Sequence, residues 1–480
     1  MQRPQILNVL ADRYASTPML NIWSTEAKII MERQLWIAVL YAQSELGMGV
    51  NTDALEAYER ATVDVHLESI KRRELKTRHD VKARIEEFNA LASELSGKKY
   101  ELIHTGMTSR DLTENVEQMQ VRKSMEIVHN KLIAVLGRLA KHSVEYQTLP
   151  MAGRSHNVAA QMTTLGKRFA STAEELQHAW SRHREAAANY PLRGIKGPVG
   201  TQQDMLELLG TADAVHELEK KIAAHLGFDK TFTSVGQIYP RSLDFDVISA
   251  LVNIGAVASS FATTVRLMAG QELVTEGFKE GQVGSSAMPH KMNTRSCERI
   301  CGFYNLLRGY LTMIEGIAGS QWNEGDVSCS VVRRVALQDA FLAIDGMIET
   351  WLTVLDEFGA YPAMIGGEVT RYLPFLTTTK LLMAAVQTGM GREEAHAIIK
   401  KHAVEAALSM REHGDVNTMV SRLTADKGWP LNAKETGKAI GKPIDFIGLA
   451  ERQVVQVVKS IEKLCKAHPE AAAYKPEPIL

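Results

Sequence analysis

Between Asp111 and Leu149 the chain has no proline, and Pro150 ends the run. Inside it Val121, Met125, Val128, Leu132, Val135 and Leu139 recur at alternating steps of four and three. An apolar seam of that period fits a long helix packed lengthwise against others, because it returns one face to a neighbour every two turns. Further long runs follow. Ala27 to Leu46 opens after the cap candidates Ser24 and Thr25 and stops at Gly47. A run from about Val158 to Tyr190 stops at Pro191, and others cover roughly Asp244 to Glu276, Asn293 to Ile317 and Val331 to Phe358. The expectation is an all-α protein in three segments: 1–110, a long-helix bundle over 111–365, and shorter helices over 366–480. The second boundary falls where helices shorten, near Tyr361-Pro362 and Gly366-Gly367.

A chain of 480 residues with 45% hydrophobic and 23% charged content can bury a substantial core. Its net charge of -1 gives no global field toward nucleic acid or a membrane surface, so an anionic ligand must be held by local cations. Val247 to Val265 carries no charged residue and is long enough to span a bilayer. Ser249, Asn253, Ser259, Ser260, Thr263 and Thr264 are scattered around it, so a buried bundle helix is the expectation rather than a membrane span. Cys297, Cys301, Cys329 and Cys465 fit neither a zinc spacing nor a disulfide framework. The start, MQRPQILNVLADRY, lacks the layout of a signal peptide. Together these point to a reducing, cytoplasmic setting.

Polar breaks between the long runs are where chemistry is expected. They are Met151 to Asn157, Gly194 to Gln203, Phe278 to Asn293 and Ser320 to Ser330. The glycines of the second break match no phosphate-loop spacing. In the third, Ser285 and Ser286 precede a helix start near Asn293. Lys291 and the free N–H groups of that start would favour a serine oxyanion or a bound carboxylate. His156 lies just after Pro150, near what reads as a helix start. Asp80 can orient or charge His79 beside Arg78. Thr108, Ser109 and Asp111 cap the heptad helix and could also hold an anion there. Arg333 and Arg334 could clamp a phosphate or carboxylate. Each item also has a plain structural reading as a cap, a loop or a solvated face.

Taken in order, these stretches resemble a known family. GSSAMPHKMN, Gly284 to Asn293, is similar to the signature loop of the fumarase/aspartase superfamily of lyases. DRYAS from Asp12, RHDV from Arg78, Thr108-Ser109, Ser155-His156, GQIYPR from Gly236, SCERICG from Ser296 and the Ser330-to-Arg334 spacing resemble the adenylosuccinate lyase branch. The resemblance implies elimination of fumarate from adenylosuccinate, and from the succinylated aminoimidazole carboxamide ribotide (SAICAR), with no metal or organic cofactor. It also implies a three-domain helical fold whose long helices build a homotetramer core, with each active site drawn from three subunits. Ser285 would be the general base and His156 the general acid. Thr108 and Ser109 would contact the succinyl part, and Lys291 and Asn293 the carboxylate that takes up charge. Arg13, Tyr14, Ser330 and Arg334 would hold the nucleotide phosphate, while Arg78, His79, Asp80, Gln237, Ser286 and Arg299 complete the binding set. Some positions depart from the family pattern. Met292 and Gly325 stand where arginine is usual, Cys329 where histidine is, and Ser155 where threonine is. Arg333 is the expected stand-in for the arginine missing at Gly325. The alternatives are another superfamily lyase, such as argininosuccinate lyase or fumarase, which needs no phosphate site, or a non-catalytic helical scaffold.

Overall fold

The computed structural model describes residues 7–277, 288 and 290–478. Its axis is the helix Ser109–Glu145. The six seam residues Val121, Met125, Val128, Leu132, Val135 and Leu139 are all fully buried. Ile133, Ala134 and Leu136 are fully buried too, so around its middle this helix is enclosed on nearly every side. Each such Leu or Val contributes roughly 1.5–3 kcal/mol by leaving water. Leu165–Ala188 and Cys329–Glu357 pack against it, Ser242–Gly270 packs against both of those, and Arg295–Glu315 packs against Ser242–Gly270 and Cys329–Glu357. Ser242–Gly270 is long and apolar enough to cross a membrane. Ile248, Leu251, Ile254, Ala258 and Val265 on it are nevertheless buried against the neighbouring helices.

The N-terminal helices share this core. Thr25–Glu45 starts where Ser24 Oγ accepts the Ala27 N–H at 3.1 Å. It packs on helix 109–145, with Leu35 and Trp36 buried. The chain from 366 to 480 divides between two cores. Thr378–Gln387, Arg392–Glu412, Met419–Ala425 and Ala433–Ile440 close a separate one around Leu381, Ile399, Leu423 and Trp429. Ala450–Ala467 then returns to helices 109–145 and 165–188, burying Val454 and Ile461.

The run expected to be helical from Val158 begins otherwise. Pro150–Ser155 and Val158–Thr164 form an antiparallel hairpin, and the helix starts only at Leu165, after Thr164 accepts the Lys167 N–H at 3.0 Å. Among the described residues the other strand pairing is the short one between Val274–Thr275 and Gly359–Ala360. The fold is all-α in class, with the hairpin as an outgrowth between two long helices.

Candidate active site

The helix Val9–Arg13 is capped by Asn8, whose Oδ1 accepts from the Leu10 and Ala11 N–H groups at 2.9 and 3.3 Å. It ends at Arg13, which is exposed. The next residue, Tyr14, meets the Phe303 ring edge-on at 5.2 Å between centroids. The Arg299 guanidinium lies over the Tyr14 ring at 5.3 Å, a cation–π contact joining two candidates 285 positions apart in the chain.

Arg78 occupies a left-handed position at the end of helix Leu67–Thr77, with φ of 52°. His79 caps the following helix, Asp80–Ser96, its Nδ1 accepting the Lys82 N–H at 3.3 Å. Asp80 bonds Arg84, which also pairs with the buried Glu32 at 2.5 Å. Burial pushes the Asp80 carboxyl up, but Arg84 and the Val81 amide outweigh it and hold it below the usual range. Asp80 and Arg334 line one cavity of about 600 Å³, together with Lys28, Arg84 and Glu117.

Thr108 caps helix 109–145 in a reciprocal box with Asp111. Asp111 is the centre of a buried polar cluster. Its Oδ1 accepts from Arg193 at 2.5 Å and from the Lys196 and Gly197 backbone N–H groups at 2.8 and 3.1 Å. Its Oδ2 accepts the Thr108 N–H at 2.8 Å. The amides of the 194–203 break that could cradle an anion therefore hold a carboxylate of the protein itself. Arg193 also donates to the Gly236 carbonyl at 2.9 Å, tying Thr108 and Ser109 to the segment that carries Gln237.

Two expectations are corrected here. Arg333 is not a free phosphate ligand. It is buried, with Nε on Asp244 at 2.7 Å and a terminal nitrogen on Glu117 at 2.6 Å. Arg334, one step along the helix, is exposed. Both arginines line the cavity of about 600 Å³ beside Asp80, but the Arg333 guanidinium is already committed to Asp244 and Glu117, so the pair does not act as a clamp on one group. Arg333 thus does not replace the arginine missing at Gly325. Gly325 itself has φ of 134°, and a Cβ there would lie 2.9 Å from Ile238 Cγ1, which disfavours any side chain. Ser330 sits half-exposed in the first turn of helix Cys329–Glu357. The second correction concerns the start of helix Arg295–Glu315. Its first N–H groups are not free: Glu276 accepts from Ser296 and Cys297 at 2.9 and 2.8 Å. That carboxylate offsets the positive end of the helix dipole. Lys291 and Asn293 line a second cavity of about 580 Å³ with Glu272, Thr275, Tyr361 and Met364. Ser285 and Ser286 lie outside the described residues.

His156 is not at a helix start. With Asn157 it forms the two-residue tip of the hairpin, where Ser155 pairs Val158. Both tip residues have positive φ, 53° and 62°. A two-residue turn with both centres left-handed matches the twist of the strands but strains non-glycine residues. Arg154 holds the tip by donating to the Asn157 carbonyl at 3.0 Å and bonding Glu368 of helix Pro362–Leu376. The His156 side chain is exposed and, among the described residues, makes no hydrogen bond.

One chain therefore gathers its candidates into separate groups. Tyr14 meets Arg299; Asp80 and Arg334 share a cavity; Thr108 and Ser109 are linked to Gln237; Lys291 and Asn293 share another cavity; His156 stands alone. Sequence reasoning missed Arg193, which joins the third group. Its signal was two basic residues, Arg193 and Lys196, inside a glycine-rich segment with little else polar.

The sequence family described as Lyase matches residues 13–306, and that described as Adenylosuccinate lyase C-terminus matches 374–457. The chain is 34% identical to adenylosuccinate lyase of Saccharomyces cerevisiae, over 94% of this chain and 93% of that one. It is 35% identical to adenylosuccinate lyase of Schizosaccharomyces pombe over 86% of each. The chain belongs to the adenylosuccinate lyase family. Solved structures of other enzymes share the fold. The 3-carboxy-cis,cis-muconate lactonizing enzyme of Pseudomonas putida superposes with a TM-score of 0.81 at 16% identity, over 95% of this chain and 99% of that one. A fumarate lyase of Mesorhizobium gives 0.77 at 18%, over 95% and 100%. The groups above are mounted on the helical frame that this chain shares with those structures.

Proposed function

We propose that the protein releases fumarate from adenylosuccinate, leaving AMP, and from SAICAR, by general acid/base catalysis at sites shared within a homotetramer. The observation that carries this reading is coverage. The lyase match spans residues 13–306 and so takes in every candidate from Arg13 to Arg299 in one collinear block.

The residue types suit the reaction. The proton to be removed sits on the carbon next to a succinyl carboxylate and is weakly acidic, so the negative charge must be spread onto that carboxylate. Lys291 and Asn293 are the donors assigned there, with Thr108 and Ser109 fixing the succinyl part. Ser285 takes the proton and His156 returns one to the leaving nitrogen as the C–N bond breaks. Exposure of His156 on a rigid, strained tip supports presentation of its imidazole to a site completed by a neighbouring protomer. Arg13, Tyr14, Ser330 and Arg334 hold the phosphate, with Arg299 of the binding set stacked on Tyr14. That set favours a nucleotide over argininosuccinate or malate. Exposed apolar residues on the long helices, among them Leu267, Leu306, Val331 and Val335, support helix-to-helix assembly with other copies. The four free thiols fit a cytoplasmic setting.

The test is direct. Purified protein mixed with adenylosuccinate should change the ultraviolet absorbance as AMP and fumarate appear. No turnover with either succinyl-nucleotide would remove the assignment.

A further inference from the structure

The last described residues, 473–478, lie over a buried charged cluster. Lys131 reaches Asp345 at 2.5 Å and Glu349 at 2.7 Å, with all three side chains buried. One ammonium between two carboxylates leaves an excess negative charge that needs further donors. The tail supplies them. Tyr474 donates its hydroxyl to Glu349 at 2.7 Å, and the Glu477 backbone N–H donates to the other Glu349 oxygen at 2.6 Å. Burial still lifts the Glu349 carboxyl above the usual range, while Lys131 and Tyr474 pull it back. Arg138 fastens the tail from the other side by donating to the Tyr474 carbonyl at 2.9 Å.

The same cluster grips the loop that follows Tyr14. Asp345 accepts the Ser16 N–H at 2.6 Å, and Lys131 donates to Ser16 Oγ at 2.7 Å. One residue on, the Glu477 carboxylate accepts both the Thr17 N–H at 2.9 Å and its hydroxyl at 3.0 Å. Above them Gly346 lets Tyr14 approach the helix; a Cβ there would lie 2.7 Å from Tyr14 Cβ. The helix 329–357 thus holds residues 16 and 17 by two routes, directly through Asp345 and through the tail anchored on Glu349. Both routes end within three residues of Tyr14 and the Arg299 contact.

We propose that Glu477 is a positioning residue: by tethering Thr17 it sets the Arg13–Tyr14 loop to receive the 5′-phosphate of the substrate. The inference rests on the assignment of Arg13 and Tyr14 to the phosphate under the proposed function. A loosened loop would weaken binding of a group remote from the breaking C–N bond. Loss of such uniform binding raises KM and leaves kcat in place.

Steady-state kinetics with adenylosuccinate on Glu477→Ala, Glu477→Gln and Arg13→Ala, with thermal unfolding of each, tests this. Glu477→Ala should raise KM roughly tenfold, with kcat within about twofold, since two hydrogen bonds to one charged group are lost. Its unfolding midpoint should stay within about 2 °C of the parent, because the carboxylate is only half-buried. Glu477→Gln keeps an oxygen that accepts both Thr17 donors and should restore KM. An unchanged KM in Glu477→Ala, or a fall in kcat and midpoint without a KM effect, overturns the proposal. If Arg13→Ala raises KM while Glu477→Ala does not, the tail is dispensable and the phosphate assignment stands. If neither raises KM, the phosphate assignment fails and the positioning role falls with it.

Discussion

The surroundings of Asp111 and the tip bearing His156 are built in opposite ways. Asp111 is fully buried and accepts four hydrogen bonds from backbone and Arg193 donors. It holds Thr108 and Ser109 in place through interactions made entirely within one chain. His156 sits on an exposed two-residue turn with an unfavourable backbone, held at its base by Arg154. Under the proposed roles of Thr108, Ser109 and His156, the difference teaches that this chain finishes one side of the site by itself and only offers the other. A buried, satisfied charge fixes geometry without a partner, whereas an exposed imidazole acquires an environment only from what docks against it.

The largest effect expected is at the tip. His156→Ala should lower kcat by roughly 10²–10⁴-fold, the range for loss of a general acid, with little change in unfolding temperature. Near-normal turnover would break the contrast by showing that the tip does no chemistry. Next, Asp111→Ala should lower stability by about 3–5 kcal/mol, because it strands the buried Arg193 charge. Urea denaturation measures this, and a loss below about 1 kcal/mol would mean the cluster does not fix the helix start.

Acid should separate the two regions. Burial holds the His104 imidazole down at about 4, with Asp111 pulling upward. Its Nδ1 accepts the Trp36 indole N–H at 3.1 Å, a bond that protonation there would remove. In the unfolded chain a histidine titrates near 6.5. The unfolded state therefore takes up the proton first. This contribution is complete above about pH 6.5 and is lost as pH falls toward 4. Hydrogen exchange near Trp36 and Thr108 should accelerate over that interval before exchange in the hairpin does. Equal acceleration in both would remove the distinction. The smallest effect is Asn157→Gly, which suits the left-handed turn and should raise stability by about 0.5–1 kcal/mol in thermal unfolding. A loss of stability there would argue that the tip is not strained.

Legibility in the sequence followed the same divide. The seam from Val121 to Leu139 and the caps at Ser24 and Thr108 were readable because periodicity and capping are local. The hairpin was not. Its turn is His156-Asn157 rather than the usual glycine-bearing pair, and its second strand, Val158–Thr164, runs without a breaker into the helix at Leu165. Arg333 was misjudged for a related reason. Nothing local reveals that Asp244 and Glu117, distant in sequence, turn it inward. Arg193 and the tail residue Glu477 act through partners 82 and 460 positions away, which no window of sequence displays.

The most direct test of a site divided between protomers is to mix two inactive proteins. His156→Ala and Ser285→Ala should each be nearly inert toward adenylosuccinate. After subunit exchange, hybrid assemblies should regain fumarate release, because some sites then draw an intact histidine from one chain and an intact serine from another. Hybrids demonstrated by native mass spectrometry that stay as inactive as their parents would contradict the account.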